Sequence, residues 1–260
     1  MAGDGAIEKT AGARNVAGPH ELSCDAVEVR FGGLAAISGV SLSVRRGEIF
    51  GPIGPNGAGK TTLVNCLTGF QKPTSGAIRL DRIDATGWRP ERLRKAGVAR
   101  SFQAGRLFRD MTVLDNVEVT AVGMGLGCRQ AAAAAMEMLL WIGLADKAET
   151  IAGSLAYTDE RRVGVARALM LSPAFVLLDE PAAGMSDSEC DELMRLIAEI
   201  PRSFDCGVLL IEHNMRVIMG ISERIHVLDG GRSIAEGTPR EIRGDEAVIA
   251  AYLGASRDAA

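Results

Sequence analysis

The chain has 260 residues, 47% of them hydrophobic, 24% charged and only 4% aromatic, and a formal net charge of −4. That balance weighs against nucleic acid as principal partner, because such binding draws on clustered cations and stacking rings. No run approaches the roughly 18 apolar residues of a membrane span; the nearest, Ala131 to Ala145, is interrupted by Glu137 and Gly143. The chain is therefore expected to be cytoplasmic and to reach a membrane only through a partner. Five cysteines, Cys24, Cys66, Cys128, Cys190 and Cys206, are scattered without C-x-x-C spacing. They read as reduced thiols serving as small buried side chains.

Residues 1–19 read as a flexible, Gly/Ala-rich polar tail, and the folded part is expected over 20–260. From Glu21 the apolar residues alternate: Leu22, Cys24, Val27, Val29 and Phe31, then, after Gly32-Gly33, Val40, Leu42 and Val44. Period two predicts half-buried strands of an antiparallel edge sheet, continued by Ala77 to Leu80. Phe31 is either a core ring or a face on which a base stacks.

An apolar run with Ile49, Phe50 and Ile53 leads into Gly54-Pro55-Asn56-Gly57-Ala58-Gly59-Lys60-Thr61-Thr62, followed by a helical segment that stops at Gly69. This fits the phosphate-loop pattern G-x-x-x-x-G-K-[ST], in which glycines turn backbone amides toward a phosphate. The lysine reaches the β and γ phosphates and the Thr61 hydroxyl ligates Mg²⁺. A helix starting at Lys60 also points its positive end at the nucleotide.

Between about Asp84 and Ala156 the strand signal disappears, which predicts an inserted helical lobe over about 84–160. Thr112-x-x-Asp115 marks a helix start, and Arg129 to Leu144 would place Met136, Leu139, Leu140 and Gly143 on one face. Before it stands an exposed-looking polar break, Arg100-Ser101-Phe102-Gln103, and then Arg106-Leu107-Phe108-Arg109. A βα pattern returns with a helix over Arg161 to Leu171, a buried strand over Phe175 to Leu178, a capping box at Ser186-x-x-Glu189 and a strand over Val208 to Ile211. A hairpin turning at Asp229-Gly230-Gly231 and a closing helix from Glu246 to Leu253 complete the chain.

Asp179-Glu180 sit at the carboxyl end of a buried strand, where an open parallel sheet binds ligands. Asp179 is placed to hold Mg²⁺ and Glu180 to polarise a water. His213, at the next strand end beside a carboxylate, is a candidate γ-phosphate contact. His226 falls inside a strand.

Together, Phe31, Gly54 to Thr62, Gln103, Leu155 to Arg162, Leu177-Leu178-Asp179-Glu180-Pro181 and His213 resemble an ABC-transporter ATPase subunit over nearly the whole chain after the tail. "RFGGLAAI", "FQAGRLFRDMTVLDNV", "DEPAAGM", "IEHNM" and the ending "AYLG" resemble the LivG-type ATPases of branched-chain amino-acid importers. The resemblance implies an α/β P-loop NTPase fold: a RecA-like, mostly parallel sheet, an N-terminal antiparallel β subdomain and the inserted helical subdomain. It implies ATP and Mg²⁺ as ligands, with Phe31 on adenine, Gln103 sensing Mg²⁺ and nucleotide, Glu180 activating water and His213 on the γ-phosphate. It also implies a second, identical or homologous ATPase, whose bound ATP is capped by Leu155-Ala156-Tyr157-Thr158-Asp159. Two membrane permeases would dock near Gln103 to Val113 and, indirectly, an extracytoplasmic solute-binding protein, so that the chain lies peripherally on the inner face of the membrane.

Some residues depart from that pattern. Thr158 stands where a glycine is expected, a difficulty if the position needs positive φ, and Asp159 replaces a glutamine. Asp159 would either stabilise the helix start or repel ATP, and a slower capped site is expected. Pro52 removes an N–H from a central strand, and Ala183-Gly184-Met185-Ser186 replaces Ser-Ala-Leu-Asp. Two other readings are an ABC ATPase outside transport and a nucleotide-dependent subunit with weak hydrolysis. A P-loop kinase or switch has no reason to keep this order of segments.

Overall fold

The computed structural model describes residues 18–101 and 107–255. In chain order the strands and helices are β1 Glu21–Phe31, β2 Leu34–Arg45, β3 Ile49–Ile53, α1 Lys60–Leu67, β4 Ser75–Leu80, β5 Ile83–Asp84, α2 Pro90–Lys95 and β6 Val98–Arg100. The lobe adds α3 Val113–Gly123 and α4 Cys128–Trp141. Then come α5 Tyr157–Leu169, β7 Phe175–Asp179, α6 Asp187–Phe204, β8 Gly207–Ile211, α7 Met215–Ile221, β9 Arg224–Asp229, β10 Arg232–Gly237, α8 Pro239–Arg243 and α9 Glu246–Ala255. They build an antiparallel sheet, β2-β1-β4-β5, and a mostly parallel sheet, β10-β9-β3-β8-β7-β6.

The first hairpin follows its alternation closely. The apolar beat skips between Cys24 and Val27, and there the β1/β2 register shifts and Ala26 takes φ 44°. An extra residue in one strand restores the inward face, so Leu22, Cys24, Val27 and Val29 are all buried.

In the parallel sheet both faces are covered, which explains the uninterrupted apolar runs. Phe175 and Leu177 of β7, with Leu209 and Ile211 of β8, pack toward the antiparallel sheet and Leu63, Val64 and Leu67 of α1. Their neighbours Val176, Leu178, Val208 and Leu210 pack on the opposite side with residues of α3 to α7.

Pro52 is accommodated by the direction of its missing donor. The Val208 amide donates to Glu48 O and the Glu223 amide to Ile49 O, so even-numbered residues of β3 face β8 and odd-numbered ones face β9. Pairing to β8 ends at Phe50, while pairing to β9 runs on to Ile53. The absent N–H thus lies where the ladder has already parted.

Two sequence expectations need correction. Val98–Arg100 is a strand, the edge of the parallel sheet beside β7; three residues are too few to display a period. In α4 the buried face is Ala131, Ala135, Met138 and Leu139, continued by Ile142, whereas Leu140 is exposed. The two alanines share that face with Met138 and Leu139 and belong to the same core cluster as Val117 and Ala121 of α3. A short helix, α8, follows β10 and opens on a capping box of Thr238 and Glu241. The boxes at Thr112/Asp115 and Ser186/Glu189 do form.

Four cysteines are buried, while Cys128 opens α4 in contact with solvent. Burial pushes the Cys24 and Cys206 thiols up to about 12 and Cys66 to about 11. A thiol reagent at pH 8 is accordingly expected to modify Cys128 first and the buried thiols only on unfolding, read by peptide mass spectrometry.

Candidate nucleotide site

Three adjacent strands of the parallel sheet, β3, β8 and β7, end on one edge. From them emerge, respectively, the loop Gly54 to Gly59, the pair Glu212-His213 and the pair Asp179-Glu180. Sheet order therefore gathers residues that are about 160 positions apart in the chain.

The loop holds its shape through glycines. Gly54, Gly57 and Gly59 have φ of 152°, 81° and 100°. A Cβ on Gly54 would lie 2.0 Å from Leu228 O, and one on Gly59 would lie 2.5 Å from Ile37 Cδ1. The β9–β10 turn braces the loop: the Gly231 amide donates to Ala58 O, and the Ser38 amide of β2 donates to Gly231 O. From α9, the Tyr252 hydroxyl takes the Gly54 amide.

Lys60 opens α1, whose first turn no side chain caps, leaving its dipole directed into the loop. The buried ammonium spans the loop, donating to Gly54 O at 2.7 Å and Pro55 O at 3.0 Å. Burial pulls its pKa down, and the nearby Glu180 carboxylate pushes it back up.

Glu180 is the first residue past β7 and takes φ 48°, strained for a non-glycine. Its amide donates to Ile211 O at 2.9 Å, fastening the turn to β8. Its Oε1 lies 2.7 Å from His213 Nε2. The histidine thus finds its carboxylate on the neighbouring strand rather than beside it in sequence. Glu212 points inward instead, accepting the Ala182 amide at 2.6 Å. Burial raises the Glu212 carboxyl, against the lowering effect of amides from Ala182, His213 and Asn214.

Asp179 is paired with Arg100 across a 2.6 Å contact. The break expected to be exposed at Arg100-Ser101 is therefore buried. Thr61, the second residue of α1, is exposed. Among the described residues no group of three or more His, Cys, Asp and Glu side chains could hold a metal. Gln103 lies outside the described residues.

Phe31 ends β1 with 52% of its surface exposed. Its partner Leu34 begins the strand whose Ala36 and Ile37 abut Gly59. That exposure means Phe31 is not a core ring. His226 is a core histidine, held by Glu236 at 2.7 Å and Ser233 at 2.8 Å.

The Leu155 segment starts α5 four residues earlier than expected, with Ala156 as N-cap. Thr158 is consequently in the first helical turn and is not among the positive-φ residues, so it needs no glycine. Asp159 is buried at N3 and ion-paired to Lys147. Its charge serves the helix start and the lobe. Tyr157 OH donates to Ala183 O at 2.8 Å, joining this segment to the one after Glu180. Arg109 pairs with Glu160 at 2.9 Å, joining it also to the stretch following residue 106.

A family model described as ABC transporter matches residues 37–183, more than half of the chain. The chain belongs to the ABC transporter family. It is the ATP-binding subunit of that family, a nucleotide-binding ATPase that energises transport. A second model, described as branched-chain amino acid ATP-binding cassette transporter, matches residues 232–258, which include Tyr252.

The chain is 45% identical over 248 residues to the high-affinity branched-chain amino acid transport ATP-binding protein LivG of Salmonella typhimurium, covering 90% of this chain and 97% of that one. It is 42% identical to BraF of Pseudomonas aeruginosa, with the same coverage. An ATP-binding cassette of an ABC transporter solved in its ADP conformation superposes with a TM-score of 0.82 at 28% identity, over 90% of this chain and 99% of that one. A dimeric cassette bound to ADP and phosphate gives 0.74 at 25% identity, over 84% and 99%. Among the described residues no helix is long and apolar enough to cross a membrane.

Proposed function

We propose that this subunit couples ATP hydrolysis to the import of branched-chain amino acids or related small amphipathic organic solutes. The observation that carries the hydrolytic part is the 2.7 Å contact between Glu180 and His213 beside the Lys60 loop. The solute class rests on the LivG and BraF relatives and on the match at residues 232–258.

The loop amides and Lys60 grip the β and γ phosphates, Lys60 leaving its two carbonyls for them, and Phe31 stacks on the base. Thr61 and Asp179 would hold Mg²⁺, with Gln103 as a further contact, and the bound ion would neutralise phosphate charge. Glu180 takes a proton from the attacking water. His213 aligns that carboxylate and reaches the γ-phosphate.

A second ATPase, a copy or a homologue, supplies the Leu155 to Asp159 segment over this nucleotide. Closure of the pair drives two membrane permeases, served by an extracytoplasmic solute-binding protein, and holds the subunit on the inner face of the cell membrane. The Tyr157–Ala183 and Arg109–Glu160 contacts support a mechanical link from nucleotide to permease.

The altered signature does not favour the weakly hydrolysing alternative, because Asp159 is neutralised by Lys147. Asp159→Gln is expected not to raise ATP turnover of the assembled transporter; a severalfold rise would place the carboxylate on the nucleotide. The function itself is tested by co-purification from solubilised membranes, followed by ATPase assays with candidate solutes on the receptor. Stimulation by leucine, isoleucine or valine is expected. Permeases absent from the purified assembly would refute the transport role.

A further inference from the structure

We infer that Arg100 is a positioning residue for the metal-side carboxylate, fixing one oxygen of Asp179 so that the other faces the nucleotide-bound Mg²⁺. This rests on the reading of Asp179 given above. Arg100 ends β6 opposite Leu177, and Asp179 lies two residues farther along β7, on the same face of the sheet. That face carries α1.

From there Nη2 donates to Asp179 Oδ2 at 2.6 Å, and Nη1 donates to Asn65 Oδ1 at 2.5 Å and lies 3.5 Å from Thr68 Oγ1. The Phe70 ring stands 5.6 Å from the guanidinium carbon. Both members of the ion pair are nearly excluded from water, at 8% and 10% exposure.

A planar guanidinium pinned to α1 by one nitrogen can present the other in a single direction. It therefore sets the rotation of the Asp179 carboxylate, assigning Oδ2 to itself and Oδ1 to the metal. Lysine keeps the charge but loses the fork, so Arg100→Lys should not substitute fully.

The test is nucleotide affinity of the full chain by calorimetry, with Mg²⁺ and with EDTA. Partners that orient metal ligands are worth roughly 10–100-fold in metal affinity. In Arg100→Met the gain in affinity produced by Mg²⁺ should fall by about that factor, and in Arg100→Lys by a smaller one. Affinity in EDTA should stay within about twofold, which a merely damaged site would not allow. An unchanged Mg²⁺ gain in both variants, or equal losses with and without Mg²⁺, overturns the inference. If Arg100→Met does not fold, Arg100→Lys and Asn65→Leu decide by the same criterion. Asp179→Asn separates the two levels: if it leaves the Mg²⁺ gain intact, the reading of Asp179 fails, and if it alone abolishes the gain, only the role of Arg100 fails.

Discussion

Glu180→Gln is expected to lower ATP turnover by about 10²–10⁴-fold while nucleotide binding persists, since that is the usual worth of a positioned general base. The amide keeps the size of the carboxylate, and the strained turn at φ 48° is fixed by the backbone bond to Ile211, so the fold should not change. What is lost is an acceptor for the water's proton, together with the charge aligned by His213. Single-turnover hydrolysis in the assembled transporter, paired with nucleotide binding, separates the two effects. Turnover within a factor of two of the parent would remove Glu180 from the chemistry.

Gly54→Ala is expected to be the most damaging single methyl in the loop. The added Cβ would lie 2.0 Å from a backbone carbonyl, Leu228 O, which cannot rotate aside, and the residue would keep φ at 152°. Strain plus displacement of β9 against the loop should cost about 3 kcal/mol or more, roughly 6–12 °C in Tm for a domain of this size. Gly57→Ala supplies the control. Gly57 also has positive φ, 81°, but nothing lies within 4 Å of the added carbon. Its cost should be the conformational term alone, about 1–2 kcal/mol. Equal melting temperatures for the two variants would mean that packing against Leu228 does not hold the loop.

These contrasts show where the sequence was legible. The loop, the acidic end of β7 and His213 could be read because each is a local pattern attached to a buried strand. The antiparallel hairpin was equally plain from its alternation, whereas the bulge at Ala26 emerged only with the register shift between Cys24 and Val27. Relations set by sheet order were not readable. Glu212 is the sequence neighbour of His213, yet the pleat turns it inward to the Ala182 amide, and Glu180 arrives from β7 instead. Arg100 looked like an exposed break because a lone charge after two apolar residues has no period; its burial beside Asp179 and Asn65 is set by sheet order. The face of α4 was misjudged for a related reason. Large apolar residues suggested the contact, whereas the buried face includes Ala131 and Ala135.

The Thr158 and Asp159 departures show the converse. Thr158 was a difficulty only if its position needed positive φ, and Asp159 was open between serving the helix start and repelling ATP; each has an ordinary place once α5 is seen to begin at Tyr157. Local helix geometry, rather than the motif's letters, decides what those positions require.

Calorimetric titration of ATP and Mg²⁺ into the purified Glu180→Gln chain, repeated with Lys60→Ala added, tests the account most directly. It predicts saturable binding in the first and at least a tenfold weaker affinity in the second, since a buried ammonium paired with phosphate is worth about 1.5–3 kcal/mol. Equal affinity in the two, or no binding in either, would contradict it.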